Sequence, residues 1–189
     1  MIQFKCKFLF VTSILILSGC VAFPHRSPAD RNRSMQLIEH GARQLEMGFT
    51  EQAYASFEMA FEQYPLPDAI DGLGCGERYK GNVENAREFF ELALDLEGGY
   101  HKARAHLATV AELQGDFDVA EKLYREYLYE VPDDVRIRNN FAAFLYDRDV
   151  DGQSRQLARQ ELIRANSFGP EDLVLENFYK LEEENGERN

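Results

Sequence analysis

The chain has 189 residues, with 33 acidic against 21 basic side chains and a formal charge of −12. That balance argues against a nucleic-acid partner, because binding DNA or RNA needs a basic patch to displace condensed counterions. Three cysteines are too few for a disulfide scaffold, and 9 Tyr with 14 Phe give a chain far too apolar for intrinsic disorder.

In chain order, the first feature is a leader. Lys5 and Lys7 precede an almost wholly apolar run from Phe8 to Leu17. That run fits the core of a secretory signal and is shorter than the ~20 residues needed to span a bilayer. It ends at Leu17-Ser18-Gly19-Cys20, which resembles the lipobox of bacterial lipoproteins. The resemblance implies cleavage after Gly19 and lipid on Cys20. Two or three acyl chains would make a stable membrane anchor. Val21, in place of Asp, implies the outer membrane of a Gram-negative envelope. Removing residues 1–19 leaves 19 basic and 33 acidic side chains, a charge of −14. With Cys6 lost and Cys20 lipidated, Cys75 would be the remaining thiol. Residues 20–33, with Pro24 and Pro28 and no apolar periodicity, are expected to form a flexible tether.

A repeat organises the rest of the chain. Ala53, Ala86 and Ala120 are spaced by 33 and 34 residues. Four residues beyond each stands an aromatic (Phe57, Phe90, Tyr124), and five residues before each a glycine (Gly48, Gly81, Gly115). Ala60 and Ala93 recur seven past the alanine, where Tyr127 stands in the third unit. Apolar residues at three- and four-residue spacing predict helix on both sides of each glycine, and the glycine permits the turn. The pattern, clearest in Gly72 to Leu94 and Ala103 to Leu128, resembles the tetratricopeptide repeat.

The expected fold is all-α: a tetratricopeptide-repeat α-solenoid of about four helix-turn-helix units over 34–172 (34–66, 67–100, 101–134, 135–172). A capping helix and acidic tail occupy 173–189. The fourth unit, opening with "NNFAAFLYD" (Asn139 to Asp147) and including Ala142, departs from the period. Ala158 lies 38 residues after Ala120, which implies a four-residue insertion around Asp149 to Gly152. Leu175, Phe178 and Leu181 share one side of the final helix, the apolar stripe a solenoid cap needs.

No catalytic set, metal site or cofactor is expected. His25, His40, His101 and His106 are scattered, and the closest pair is five apart, off the four-residue spacing that places two ligands on one helical face. There is no CxxC pair, P-loop or nucleophile elbow. Gly72, Gly74 and Gly76 lack the preceding strand and the spacing of a dinucleotide fingerprint and are expected to serve helix packing. Cys75 has no CxxC partner or neighbouring His and is expected to be an inert small residue.

The repeat resemblance implies a concave groove lined by the first helix of each unit and receiving a partner protein, with no small-molecule substrate. Asp71, Cys75, Arg78 and Tyr79 map there from unit two. Unit three supplies Lys102, Ala105, Thr109 and Glu112, and unit four Arg136, Asn139, Ala143, Tyr146 and Asp147. Among lipidated tetratricopeptide proteins, the chain is most similar to the pilotin-type lipoproteins of type IV pilus biogenesis, with the Flp/Tad pilus assembly lipoprotein close behind. That similarity implies a non-enzymatic role in pilus or secretin assembly. The alternative is an envelope adaptor for outer-membrane protein assembly or peptidoglycan enzymes.

Overall fold

The computed structural model describes residues 27–148, 152–169 and 172–186. Leu17 to Cys20 and the first half of the expected tether lie outside the described residues. Among the described residues there are nine α-helices and no strand. They are α1 (Pro28–Glu46), α2 (Thr50–Gln63), α3 (Pro67–Tyr79), α4 (Val83–Leu96), α5 (His101–Gln114), α6 (Phe117–Glu130), α7 (Val135–Asp147), α8 (Gln153–Phe168) and α9 (Asp172–Gly186). None is long and apolar enough to cross a membrane. α1/α2, α3/α4, α5/α6 and α7/α8 pair as hairpins, and each hairpin packs on the next.

The same turn is built three times. Gly48, Gly81 and Gly115 have φ of +80°, +81° and +79°, the left-handed conformation that only glycine adopts without a β-carbon clash. In each, the next residue's N–H reaches back to the helix just ended: Phe49 to the Gln44 carbonyl at 2.8 Å, Asn82 to Glu77 at 2.9 Å and Asp116 to Ala111 at 2.8 Å. The marker alanines Ala53, Ala60, Ala86, Ala93, Ala120 and Ala158 have no exposed surface, and Ala142 is 1% exposed. Phe57, Phe90 and Tyr124 are buried beside them.

Small residues receive these rings. A β-carbon on Gly72 would overlap the Phe57 ring, and one on Gly74 would stand 2.5 Å from Cε1 of Phe90. A β-carbon on Gly41 of α1 would likewise stand 2.9 Å from Cε1 of Phe57. Phe57 thus seats against the bare backbone of the first helix of the next hairpin, and Phe90 against that of its own.

One expectation is corrected. The tether does not run to residue 33, because α1 begins at Pro28. Ser27 caps it: its Oγ accepts from the Asp30 N–H at 3.2 Å, and the Asp30 carboxylate accepts from the Ser27 N–H at 2.8 Å. Proline at the first helical position completes this capping box. Gln63 Nε2 donates to Asp30 at 2.8 Å, and Ser34 Oγ to the Tyr64 carbonyl at 2.9 Å, tying α1 to the end of α2. In the fourth unit the turn glycine is the one in the expected insertion. Gly152, at φ +85°, caps the N-terminus of α8; Asp149 to Asp151 lie outside the described residues.

α9 closes the stack. Val174 is buried with Leu162 and Ala165, and Phe178 packs partly buried against the same cluster; the Leu181 side chain lies outside the described residues. Arg138 and Glu161 form a nearly buried ion pair between α7 and α8, with side chains 9% and 12% exposed. Arg138 Nε also donates to the Pro132 carbonyl at 2.7 Å, and Arg164 pairs with Glu161 at 2.6 Å.

Candidate partner-binding face

The residues assigned to the groove fall into three groups along the stack. Tyr79, Lys102, Arg136, Ala143 and Asp147 are exposed, and Arg78, Thr109, Glu112 and Tyr146 are half-buried. Ala105 is buried in the core, as are Asp71 and Asn139, at 6% and 3% exposure. These last two do not offer themselves as free contact groups. Asn139 accepts from Asn177 of α9 at 2.9 Å, so the capping helix lies over that end of the face.

At the middle of the face, Arg78 lies 4.8 Å from the centroid of its neighbour Tyr79. Its buried Nε has no hydrogen-bond partner among the described residues. Next to it in the following repeat, the buried Tyr124 donates its hydroxyl to the half-buried Glu112 at 3.1 Å and stands 3.5 Å from Thr109 Oγ1. Burial pushes the Glu112 carboxyl up, with the Tyr124 hydrogen bond opposing and the Asp147 charge adding to the shift. At the outer edge, Lys102 pairs with Asp68 at 2.8 Å, and the Tyr100 hydroxyl donates to the same carboxylate at 3.0 Å.

At the far end, Ala142, Ala143, Tyr146, Asp147, Leu162, Asn177 and Lys180 line an open cleft of about 170 Å³. Arg155 lies 4.9 Å over the Tyr146 ring. The face therefore presents aromatic area at Tyr79 and Tyr146, with charges of both signs between them. It suits an extended or helical polypeptide.

The expectation that Cys75 has no neighbouring histidine is overturned. His106 of α5 lies against α3, with Nδ1 2.8 Å from Asp71 Oδ1 and 3.8 Å from Cys75 Sγ. The ligand atoms of all three lie within 4.8 Å of one another. Burial alone would lower the His106 pKa, but the Asp71 carboxylate and the Cys75 sulfur outweigh it and raise it to about 10. The pairing was hidden because its members are 31 and 35 residues apart. That is one repeat period, so placing the repeats in register would have set His106 beside α3.

Comparison with known proteins agrees with this architecture. The tetratricopeptide-repeat family profile matches residues 78–140. Among curated proteins, the chain is 32% identical over 81 residues to the type IV pilus assembly protein PilF of Pseudomonas aeruginosa. The matched stretch is 43% of this chain and 32% of that protein, so it spans about a third of the relative's length. The solved structure of Pseudomonas aeruginosa PilF superposes with a TM-score of 0.70 at 17% identity, over 84% of this chain and 72% of that one. The first tetratricopeptide domain of Spaghetti (RPAP3), bound to the HSP90 peptide SRMEEVD, superposes with a TM-score of 0.53 at 17% identity, over 60% and 91%. The fold is thus the α-solenoid that tetratricopeptide-repeat structures share, with the family profile itself matching residues 78–140.

Proposed function

We propose, from the premise that this is a tetratricopeptide-repeat solenoid, that the chain is a non-enzymatic accessory factor of pilus or secretin assembly. It binds a partner protein along its concave face and is held at the periplasmic side of the outer membrane by lipid on Cys20. The observation that carries this reading is the likeness to PilF, in sequence over 81 residues and in fold over most of the chain. The exposed Tyr79, Lys102, Arg136 and Asp147 supply the contact chemistry, and the Leu17 to Cys20 box supplies the address.

The test is genetic and direct. Deleting the gene is expected to abolish SDS-resistant secretin multimers while leaving outer-membrane porin levels unchanged. Pull-down with the lipidated protein in detergent is expected to recover the secretin, and the Tyr79→Ala/Arg136→Ala variant to recover several-fold less. Intact multimers with lowered porins would overturn the reading in favour of an adaptor for outer-membrane protein assembly.

A further inference from the structure

Asp71 and Cys75 stand four residues apart on α3, so both project from one side of that helix. His106 reaches them from α5, the first helix of the next repeat. A carboxylate, a sulfur and an imidazole thus meet at one point, drawn from two helices that the solenoid packing holds side by side. Asp71 is almost entirely out of water, and a buried carboxylate needs a positive partner. In this structure the His106 imidazole stands in that place. A dication would meet the same need more fully.

We propose that Asp71, Cys75 and His106 form a binding site for a zinc-type divalent cation, with three protein ligands and a fourth position open to solvent. The donor set selects the metal. Calcium and magnesium prefer all-oxygen surroundings, whereas one thiolate, one imidazole and one carboxylate suit zinc and its neighbours. Thiolate and carboxylate together carry two negative charges, which balance the ion. Binding displaces the Cys75 thiol proton and any proton on the ligating His106 nitrogen, and both leave to solvent.

The two separations that involve His106 are close to what the ion requires, and the Asp71 and Cys75 ligand atoms lie within 4.8 Å of each other. With bonds of ~2.0–2.3 Å, tetrahedral ligands stand roughly 3.3–3.6 Å apart. Cys75 Sγ already lies 3.8 Å from Nδ1 and 3.9 Å from Nε2 of His106, and the 2.8 Å contact between His106 and Asp71 must open by about half an ångström. Access is available because Cys75 is half-buried and the His106 side chain is 31% exposed. Behind the cluster, the Phe90 ring lies 5.0 Å from the imidazole, and Cys75 packs against the apolar group containing Ile70 and Ala86. That apolar wall keeps water from one side of the site.

Cobalt(II) titration of the full chain in detergent, followed by absorption spectroscopy, tests the proposal. One cobalt per chain is expected, with a thiolate-to-cobalt charge-transfer band and the strong visible absorption of a tetrahedral ion, both removed by stoichiometric zinc. Cys75→Ser is expected to abolish the charge-transfer band. Asp71→Asn and His106→Gln are expected to weaken zinc binding by at least the ~10–100-fold that losing an outer-shell partner costs a metal site. Circular dichroism checks that each variant is folded. Should either ligand variant unfold, zinc must still raise the melting temperature of the unaltered chain, and a chelator must reverse the gain. Absence of the band, or a band that survives Cys75→Ser, overturns the proposal and leaves the cluster a hydrogen bond between repeats. The outcome is independent of which partner occupies the concave face.

Discussion

Phe57 lies over Gly72 so closely that the smallest side chain, a methyl group, has no room between them. A ring carried by α2 is thereby locked to the backbone of α3. Alanine is the better helix former by about 0.5–1 kcal/mol, yet overpacking a filled core costs ~1–3 kcal/mol. Gly72→Ala is therefore expected to lower stability in urea denaturation despite its helix propensity. Gly98→Ala, with open space around it, is expected to be near neutral. Adding Phe57→Leu to Gly72→Ala should cost less than Phe57→Leu alone, because the two sites share one contact. Additive losses would show that the ring and the glycine do not constrain each other.

The Arg138–Glu161 pair supplies a second test. Glu161→Leu strands a guanidinium that is 9% exposed, and breaking one side of a buried pair costs ~3–5 kcal/mol. Replacing both partners, Arg138→Met with Glu161→Leu, is expected to recover most of that loss, since matched apolar residues need no counter-charge. Denaturation midpoints of the two variants decide it. Equal destabilisation would mean that the stem packing of Arg138, rather than its charge, holds α7 to α8.

Alkaline pH should weaken the fold through its tyrosines. Burial, together with the Glu77, Glu58 and Glu51 charges, pushes the Tyr54 hydroxyl up to about 12. Burial raises Tyr100, Tyr124 and Tyr127 further, aided by carboxylates such as Asp134, which accepts from Tyr127 at 2.7 Å. The unfolded chain ionises these phenols near about pH 10, while the folded chain does not. Their contribution is thus fully present below that pH and is lost as pH rises through the folded values. The free energy of unfolding is expected to decline from about pH 6.5, where the unfolded His106 loses the proton that the folded one holds to about 10, and to fall more steeply above about 10 as the tyrosines join in, the buried tyrosines ionising together with loss of helix. Ionisation of all 9 tyrosines near about pH 10 while the helix signal is intact would contradict this.

Cys20→Ser tests the anchor. The variant is expected to take up no lipid label and to remain at the size of the uncleaved precursor. Normal processing would separate the fold from the envelope role proposed for it.

How much of the fold and the site was legible in the sequence depended on range. Gly48, Ala53 and Phe57, with their counterparts one and two periods on, announced the hairpins because the same local problem is solved in each unit. The start of α1 was also legible, in Ser27-Pro28 with Asp30 three residues after the cap, but the scarcity of apolar residues before Leu37 concealed it. The covering of Asn139 by Asn177 was not, since it depends on where α9 comes to rest. The cluster at Cys75 lay between these cases. Its members share a face only once the repeats are in register, and none carries a local signal.

The third ring of the series differs from the other two by one oxygen atom. Phe57 and Phe90 end inside the core, whereas the Tyr124 hydroxyl continues to Glu112 on the concave face. A ligand group that captures the Glu112 carboxylate must therefore also supply an acceptor for the phenol, or leave a buried donor with only Thr109 at 3.5 Å. An unmatched donor of this kind costs ~1–3 kcal/mol, a discrimination of roughly 5- to 150-fold between occupants that replace the bond and those that do not. An occupant of that face that engages Glu112 would therefore be favoured when it carries an acceptor of its own beside its donor.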